Sequence, residues 1–433
     1  MDINTILKTQ GINPDLIRKF DYLEDDSNLI IVAQIKGTHK KCPYCESKNT
    51  IIKEYKTRKI KGLNIGKKIT EIELRIPRYK CKNCNKTFTY DTSEFIDKSI
   101  TIDERNELLK AFSNMETFSD IARSFNLSLS EVIKLFDRYC PWLNEKIGEA
   151  ICIDEFKNSG TDDLAKYACL LVNFETHKII DILPSRTLPY LRNYFSKQPL
   201  FARKMIKYLV TDMYDGYITI AKEFLPNAII AIDPFHYVRY FTDAVQNIRI
   251  RKLSNEKFYF YDAPWIKSNR RLLTVDLNKN CYQENKIVLT SGETISIYDR
   301  VMRFVRQDYE LNYAVTSLQD FYFESKRTKF NGAESLINFT INRLINSNIK
   351  ELIDCGKTWE NYKEYIINSF LKFKDKRLSN GPIEGINSRI KALKKIYCGY
   401  SNYKRFYKRV IYIINQKKDS NSSKKAVTHK WRP

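Results

Sequence analysis

The segment from Ala150 to His236 constrains what this chain can fold into more than any other part of it. AICIDEFK (150–157) is a short apolar run, and AKYACLLVNFE (165–175) and HKIIDILPS (177–185) read as the next two strands of a meander. Apolar runs of this length, bounded by turn residues, are strands buried in a sheet rather than helices. LPYLRNYFSK then has helical spacing. IKYLVTDMYDGY (206–217) is a further buried strand, and NAIIAIDPFH (227–236) repeats the plan. The order is three meander strands, a helix, a strand, a helix and another strand.

That order is the order of an RNase H-like core. Its strands end in acids: Asp154 and Glu155, then Asp212, then Asp233 followed by His236. A carboxylate at the end of a buried strand is held rigidly at a sheet rim. Two of them on neighbouring strands can share Mg²⁺, which prefers oxygen ligands. A pair of such ions activates an attacking oxygen and stabilises the leaving oxygen of a phosphodiester. Asp154 and Asp212 are the leading candidates; Glu155 and Asp215, beside them, are alternative ligands. The competing reading makes each Asp the cap of the helix that follows it.

The amino-terminal third carries a different chemistry. Cys42 and Cys45 (CPYC) and Cys81 and Cys84 (CKNC) form two knuckles with 35 residues between them. Four thiolates from two tight turns complete a closed tetrahedron around one structural Zn²⁺. The intervening KKITEIELRIPRYK alternates as a strand does, so a zinc ribbon with a long β insert is expected, with His39 as a possible substitute ligand. TFSDIARSFNLSLSEVIKLFDRY then reads as helix, short turn, helix. Ile121, Ala122 and Phe125 line one apolar face, and Val132, Ile133 and Phe136 the next. Ser128 or Ser130 caps the second helix, with Glu131 in its first turn. Such a helix-turn-helix presents its second helix to a major groove, which makes Ser128, Ser130, Lys134 and Arg138 candidate DNA contacts.

The net charge of +23 points to an acidic polymer as partner, and residues 370–433 hold 18 Lys or Arg against three acids. No run of 18 apolar residues occurs and the first residues do not read as a signal peptide, so no membrane role and an intracellular, thiol-reducing setting are expected. Within the basic stretch, Gly381 and Pro382 suit a helix start. Ile383, Ile386, Ile390 and Leu393 form its apolar stripe. Glu384, Asn387 or Ser388, Lys391 and Lys395 fall on the adjoining polar stripe. One helix thus offers a third metal ligand, Glu384, and a track of cations (Arg389, Lys391, Lys394 and Lys395) for a DNA backbone. The alternative role for Glu384 is complementing the helix dipole.

Taken in order, the paired CxxC ribbon, the helix-turn-helix, IDEF (153–156), TDMYDGY (211–217), PNAIIAIDPFHYVRYFTDAV (226–245) and SNGPIEGINSRIKALKKIYCGYSNYKRFYKRVIY (379–412) resemble the ISL3 family of bacterial insertion-sequence transposases. The resemblance implies an RNase H-like DDE domain with Asp154, Asp212 and Glu384 as its triad and Mg²⁺ or Mn²⁺, two ions, as its cofactor. It implies Asp233 and His236 as supporting residues, and a helical insertion in the gap of 172 positions from Asp212 to Glu384. The expected fold is multidomain α/β: a zinc-ribbon DNA-binding domain (1–95), a helix-turn-helix (96–147), an RNase H-like core in two parts (148–240 and 371–416) around a mainly helical insertion (241–370), and a basic tail (417–433). The insertion is rich in aromatics and cations, as in residues 249–271, and suits stacking on or clamping DNA. The implied partner is double-stranded DNA, both transposon ends and target, in the bacterial cytoplasm at the nucleoid, with a homodimer or higher assembly as the active complex. Two other functions fit parts of the pattern: a non-catalytic zinc-ribbon regulator, and an RNase H-like nuclease or resolvase specific for DNA structure.

Overall fold

The computed structural model describes residues 2–38, 40–158, 165–254, 263–289, 291–397 and 402–416. His39, residues 255–262 of the aromatic and cationic run, and the tail 417–433 lie outside them. The chain divides into two compact units, Met1–Leu143 with Leu393–Pro433, and Asn144–Ala392. No helix among the described residues is long and apolar enough to cross a membrane.

The first unit is built on a seven-stranded sheet. Its spine is the antiparallel pair Thr50–Lys61 and Ile69–Cys81, the β insert expected between the knuckles. Thr70, Ile72, Leu74 and Ile76 point inward at alternate positions, as a strand with one buried face requires. They pack on Ile31, Ala33 and Ile35 of the strand Asn28–Ile35. Three helices follow, Ile102–Ser113, Phe118–Ser124 and Leu129–Tyr139. Phe112, Ile121, Val132 and Phe136 close their core.

The helix Tyr403–Asn415 joins this helical core rather than the catalytic sheet, which departs from the expected core segment 371–416. The reason is visible in its side chains. Tyr412 meets Phe136 edge-on, Arg405 makes a two-oxygen ion pair with Asp137, and the buried Arg409 donates to the Glu116 carbonyl while lying over Phe118.

The second unit contains a five-stranded sheet. Its strands are β1 (Ala150–Lys157), β2 (Tyr167–Asn173), β3 (Ile179–Leu183), β4 (Tyr208–Thr211) and β5 (Ile229–Ile232). Their spatial order is β3-β2-β1-β4-β5. The first three pair antiparallel, and β4 is parallel to both β1 and β5. Ile151, Ile153 and Leu209 face the helices Leu188–Ser196 and Asp215–Phe224 through Leu191, Phe195 and Tyr217.

After β5 the helix Pro234–Leu253 carries the chain out of the sheet without a break, so the expected boundary at 240 falls inside it. Among its described residues the insertion is mainly helical, with a short hairpin of Lys286–Val288 and Thr294–Ser296. Trp359 is its centre, fully buried between Tyr237, Phe241 and Phe321, with its indole N–H given to the Tyr237 carbonyl. A second hairpin, Lys372–Phe373 with Lys376–Arg377, returns the chain to the sheet. There the helix Gly381–Ile396 begins, with Ile383, Ile386, Ile390 and Leu393 buried as its stripe predicts.

Candidate active site and zinc centre

The register of the sheet brings the acids together. The parallel ladder between β1 and β4 ends at Cys152 opposite Val210. Side chains two residues apart share a face, so Asp154 and Asp212 come side by side just past the last paired residues. The ladder between β4 and β5 ends at Thr211 opposite Ile232, which brings Asp233 alongside Asp212. One expectation changes in detail. Asp154 does not end its strand, because β1 continues to Lys157 by pairing with β2; it ends only the parallel ladder.

Carboxylate oxygens of Asp154, Glu155 and Asp212 lie within 4.8 Å of one another. Burial lifts the Asp154 carboxyl to about 7, and the charges of Asp212, Glu155 and Asp233 add to the effect. Burial also raises Asp212, against the Tyr214 N–H and Arg186, which favour its anion. Half-buried like charges at this spacing are costly unless a cation joins them.

Glu155 has its own cation. Arg186 donates to it at 2.7 Å, and that guanidinium lies over the rings of Tyr167 and Tyr214 at 4.6 and 4.5 Å. Asp215, the other alternative ligand, accepts from the Tyr362 hydroxyl at 2.7 Å and stands outside the cluster.

The helix Gly381–Ile396 reaches the cluster through Asn387. Its Nδ2 donates to Asp154 Oδ2 at 3.3 Å and to the Glu155 carbonyl at 3.4 Å, and its Oδ1 is buried without a hydrogen-bond partner. Glu384, one turn earlier, is exposed and is not one of the three gathered carboxylates; its charge acts on His236. The segment before the helix is pinned to the same rim. The Asn380 N–H donates to Asp233 Oδ1 at 2.7 Å, and its side-chain amide donates to the Ile153 carbonyl at 3.3 Å. Asp233 is buried with its other oxygen unpartnered, and burial lowers the pKa of the neighbouring His236.

Arg186, Asn380 and Asn387 were not among the candidates read from the sequence. Asn387 was visible on the polar stripe; Arg186, in a loop after β3, and Asn380, before a helix start, follow no period.

The four ribbon cysteines converge as expected. Cys42 and Cys84 Sγ are 3.6 Å apart, as are Cys45 and Cys81. A tetrahedron with Zn–S bonds of about 2.3 Å has S···S edges of about 3.8 Å, so the four can hold one zinc ion. Both knuckles have the same fold. The N–H of the first cysteine donates five residues on, Cys42 to the Ser47 carbonyl and Cys81 to that of Lys86. Glu46 and Asn85, four residues after those cysteines, both take positive φ. Knuckle N–H groups of Cys84 and Asn83 pull the Cys81 thiol down to about 6.

In the helix-turn-helix, Ser128 rather than Ser130 is the cap. It completes a capping box with Glu131 and also bonds Ser130. Ser130, Lys134 and Arg138 are exposed. On the helix Gly381–Ile396, Arg389, Lys391 and Lys395 are exposed, whereas Lys394 is half-buried and its ammonium is pulled down to about 8.

A ribbon that can close on zinc, a helix-turn-helix and an RNase H-like sheet with acids on its parallel rim are the parts of a DNA-handling protein with a candidate metal site. The ISL3 DDE-domain family model, described as a transposase, matches residues 151–410, more than half of the chain. A second model, the zinc finger of the transposases IS204/IS1001/IS1096/IS1165, matches residues 39–84. The chain belongs to the ISL3 family of insertion-sequence transposases. No curated protein matches it.

Proposed function

We propose that this transposase binds the terminal inverted repeats of its element and cuts and joins DNA at a metal site made by Asp154, Asp212 and Glu384. The observation that carries the reading is the juxtaposition of Asp154 and Asp212 on adjacent parallel strands, with the Glu384 helix tied to Asp154 through Asn387. Glu384 is preferred to Glu155 as the third ligand because Glu155 is already neutralised by Arg186. The donor set fits Mg²⁺ or Mn²⁺, being carboxylates with an unpartnered amide oxygen beside them. Two such ions, when bound, supply Lewis acidity to the attacking and leaving oxygens of an in-line phosphoryl displacement.

The chain's own residues do the rest. Asp154 and Asp212 would hold the metal through oxygens fixed on a rigid rim. Arg186 offsets the charge of Glu155, so the site carries one less negative charge toward an anionic substrate. Asn380 and Asn387 fix the helix that bears Glu384. Arg389, Lys391 and Lys395 on that helix take backbone phosphates, while Ser130, Lys134 and Arg138 read the repeat. The same site serves end cleavage and joining of the freed 3′-hydroxyl to target DNA. Two ends meet in one complex, so the active form is at least a dimer, working at the nucleoid in the cytoplasm.

The test uses labelled DNA from the boundaries of the element with Mg²⁺ or Mn²⁺. Wild type nicks at the repeat boundary, and Asp154→Asn and Asp212→Asn bind the same DNA without nicking it. Equal binding with no nicking by any of the three would sink the catalytic reading. Cutting of branched DNA irrespective of end sequence would replace it with a structure-specific nuclease.

A further inference from the structure

We propose that the helical insertion carries a second DNA site, a cavity that holds the phosphodiester backbone of duplex DNA outside the catalytic centre. The proposal rests on the reading of the protein as an enzyme of DNA ends. The cavity, of about 460 Å³, lies between the end of the helix Tyr309–Arg327 and the hairpin at 372–377. That volume is in the range of ligand pockets. Five cations line it, Lys326, Arg327, Lys329, Lys372 and Arg377, and no acid does among the described residues.

Three of these charges have local duties. Lys326 pairs with Asp276, and Arg327 lies flat on Phe323 at 3.6 Å. Arg377 is fixed by donating to the carbonyls of Ser369 and Ser325, with Phe370 beneath it at 3.8 Å. Its hydrogen bonds are to neutral groups, so its charge is not cancelled. Lys329 and Lys372 are exposed and make no ion pair among the described residues. One guanidinium held by hydrogen bonds, with two exposed ammonium groups lining the same cavity, suits phosphate oxygens. Phe330 and Phe370 add apolar surface that a small inorganic anion would not need but the deoxyribose of a DNA backbone would pack on.

The position gives the site its use. Three residues beyond Arg377 is Asn380, which holds Asp233 and the end of β1, and four residues later comes Glu384. DNA held here is gripped by the segment that places the Glu384 helix.

The test is the salt dependence of binding, read by anisotropy on full-length protein with an end-containing duplex. Each neutralised phosphate contributes about 0.9 to the slope of log K against log salt. Lys329→Gln/Lys372→Gln lowers that slope by roughly 1.8 and weakens binding more than about tenfold at moderate salt. Lys350→Gln/Lys357→Gln, with the same change of charge on exposed positions away from the cavity, leaves the slope within about 0.5 of wild type. Matching thermal melts show that all variants are folded. A cavity variant that tracks the control overturns the proposal. Because the readout is binding, it stands apart from nicking: a protein that cuts nothing fails the proposed function but still reports on this site.

Discussion

Asn387 shows how much of the site depends on single side chains. It joins the Glu384 helix to Asp154 through one amide N–H, and its oxygen is buried with no partner. Partners that orient metal ligands typically matter by 10–100-fold. Asn387→Ala therefore lowers nicking by about 10–100-fold and weakens Mn²⁺ binding by calorimetry. Unchanged metal affinity would make Asn387 a packing residue only. A second buried group makes a claim about stability. Burial lifts Glu104 to about 7, above its ordinary 4.5. A carboxyl raised in the fold takes up a proton on folding, so the stability it carries below pH ~4.5 is lost as pH rises through ~7. Glu104→Gln is then more stable than wild type at pH 8 by up to about 3 kcal/mol, and the gain vanishes below pH ~4.5 in thermal melts. At this scale the sequence displayed the residues with a period or a motif: Asp154 and Asp212, which the fold brings together, and the four cysteines, while Glu384 stands outside the gathered carboxylates. Arg186 and Asn380 act through contacts between segments far apart in the chain, which no local pattern records.

At the scale of elements, the reading succeeded where burial imposes a period. The alternation of Ile69–Cys81, the stripe of Gly381–Ile396 and the places of the five sheet strands along the chain all follow from which face must leave water. It was less sharp where two residues could do one job. Ser128 and Ser130 were equal candidates as caps, and the choice fell on Ser128 because Glu131 stands three residues after it and returns the bond. Ser128→Ala thus removes a cap and costs about 1 kcal/mol, whereas Ser130→Ala leaves the melting temperature nearly unchanged. Equal losses from both would mean that the box does not stabilise the helix. The end of β1 was misplaced for a physical reason: an acid inside a strand looks like a strand end when the partner strand is unknown.

For the whole molecule, chain order and spatial grouping part company. Tyr403–Asn415 follows the helix Gly381–Ile396 in sequence but packs with the helix-turn-helix, because its aromatic and Arg409 face fits Phe136 and Phe118. Sequence spacing reports neighbours in the chain; which distant core a helix joins is decided by shape and charge that only the fold displays. The ribbon, by contrast, was legible in its four cysteines, whose spacing in two CxxC turns brings them together. Removing zinc with a strong chelator is expected to release one ion per chain and to abolish binding to end DNA, and restored zinc restores it. Retained binding without zinc would separate the ribbon from recognition.

The central claim is the choice of the third acid, and it is tested most directly by comparing Glu384→Gln with Glu155→Gln in nicking of end DNA. Both substitutions keep shape and remove a ligand's charge. The account predicts that Glu384→Gln loses more than about 100-fold of activity with binding intact, while Glu155→Gln, still hydrogen-bonded to Arg186, loses less than about tenfold. The reverse order would assign the metal to the gathered cluster of Asp154, Glu155 and Asp212 and would leave Glu384 as a glutamate at a helix start.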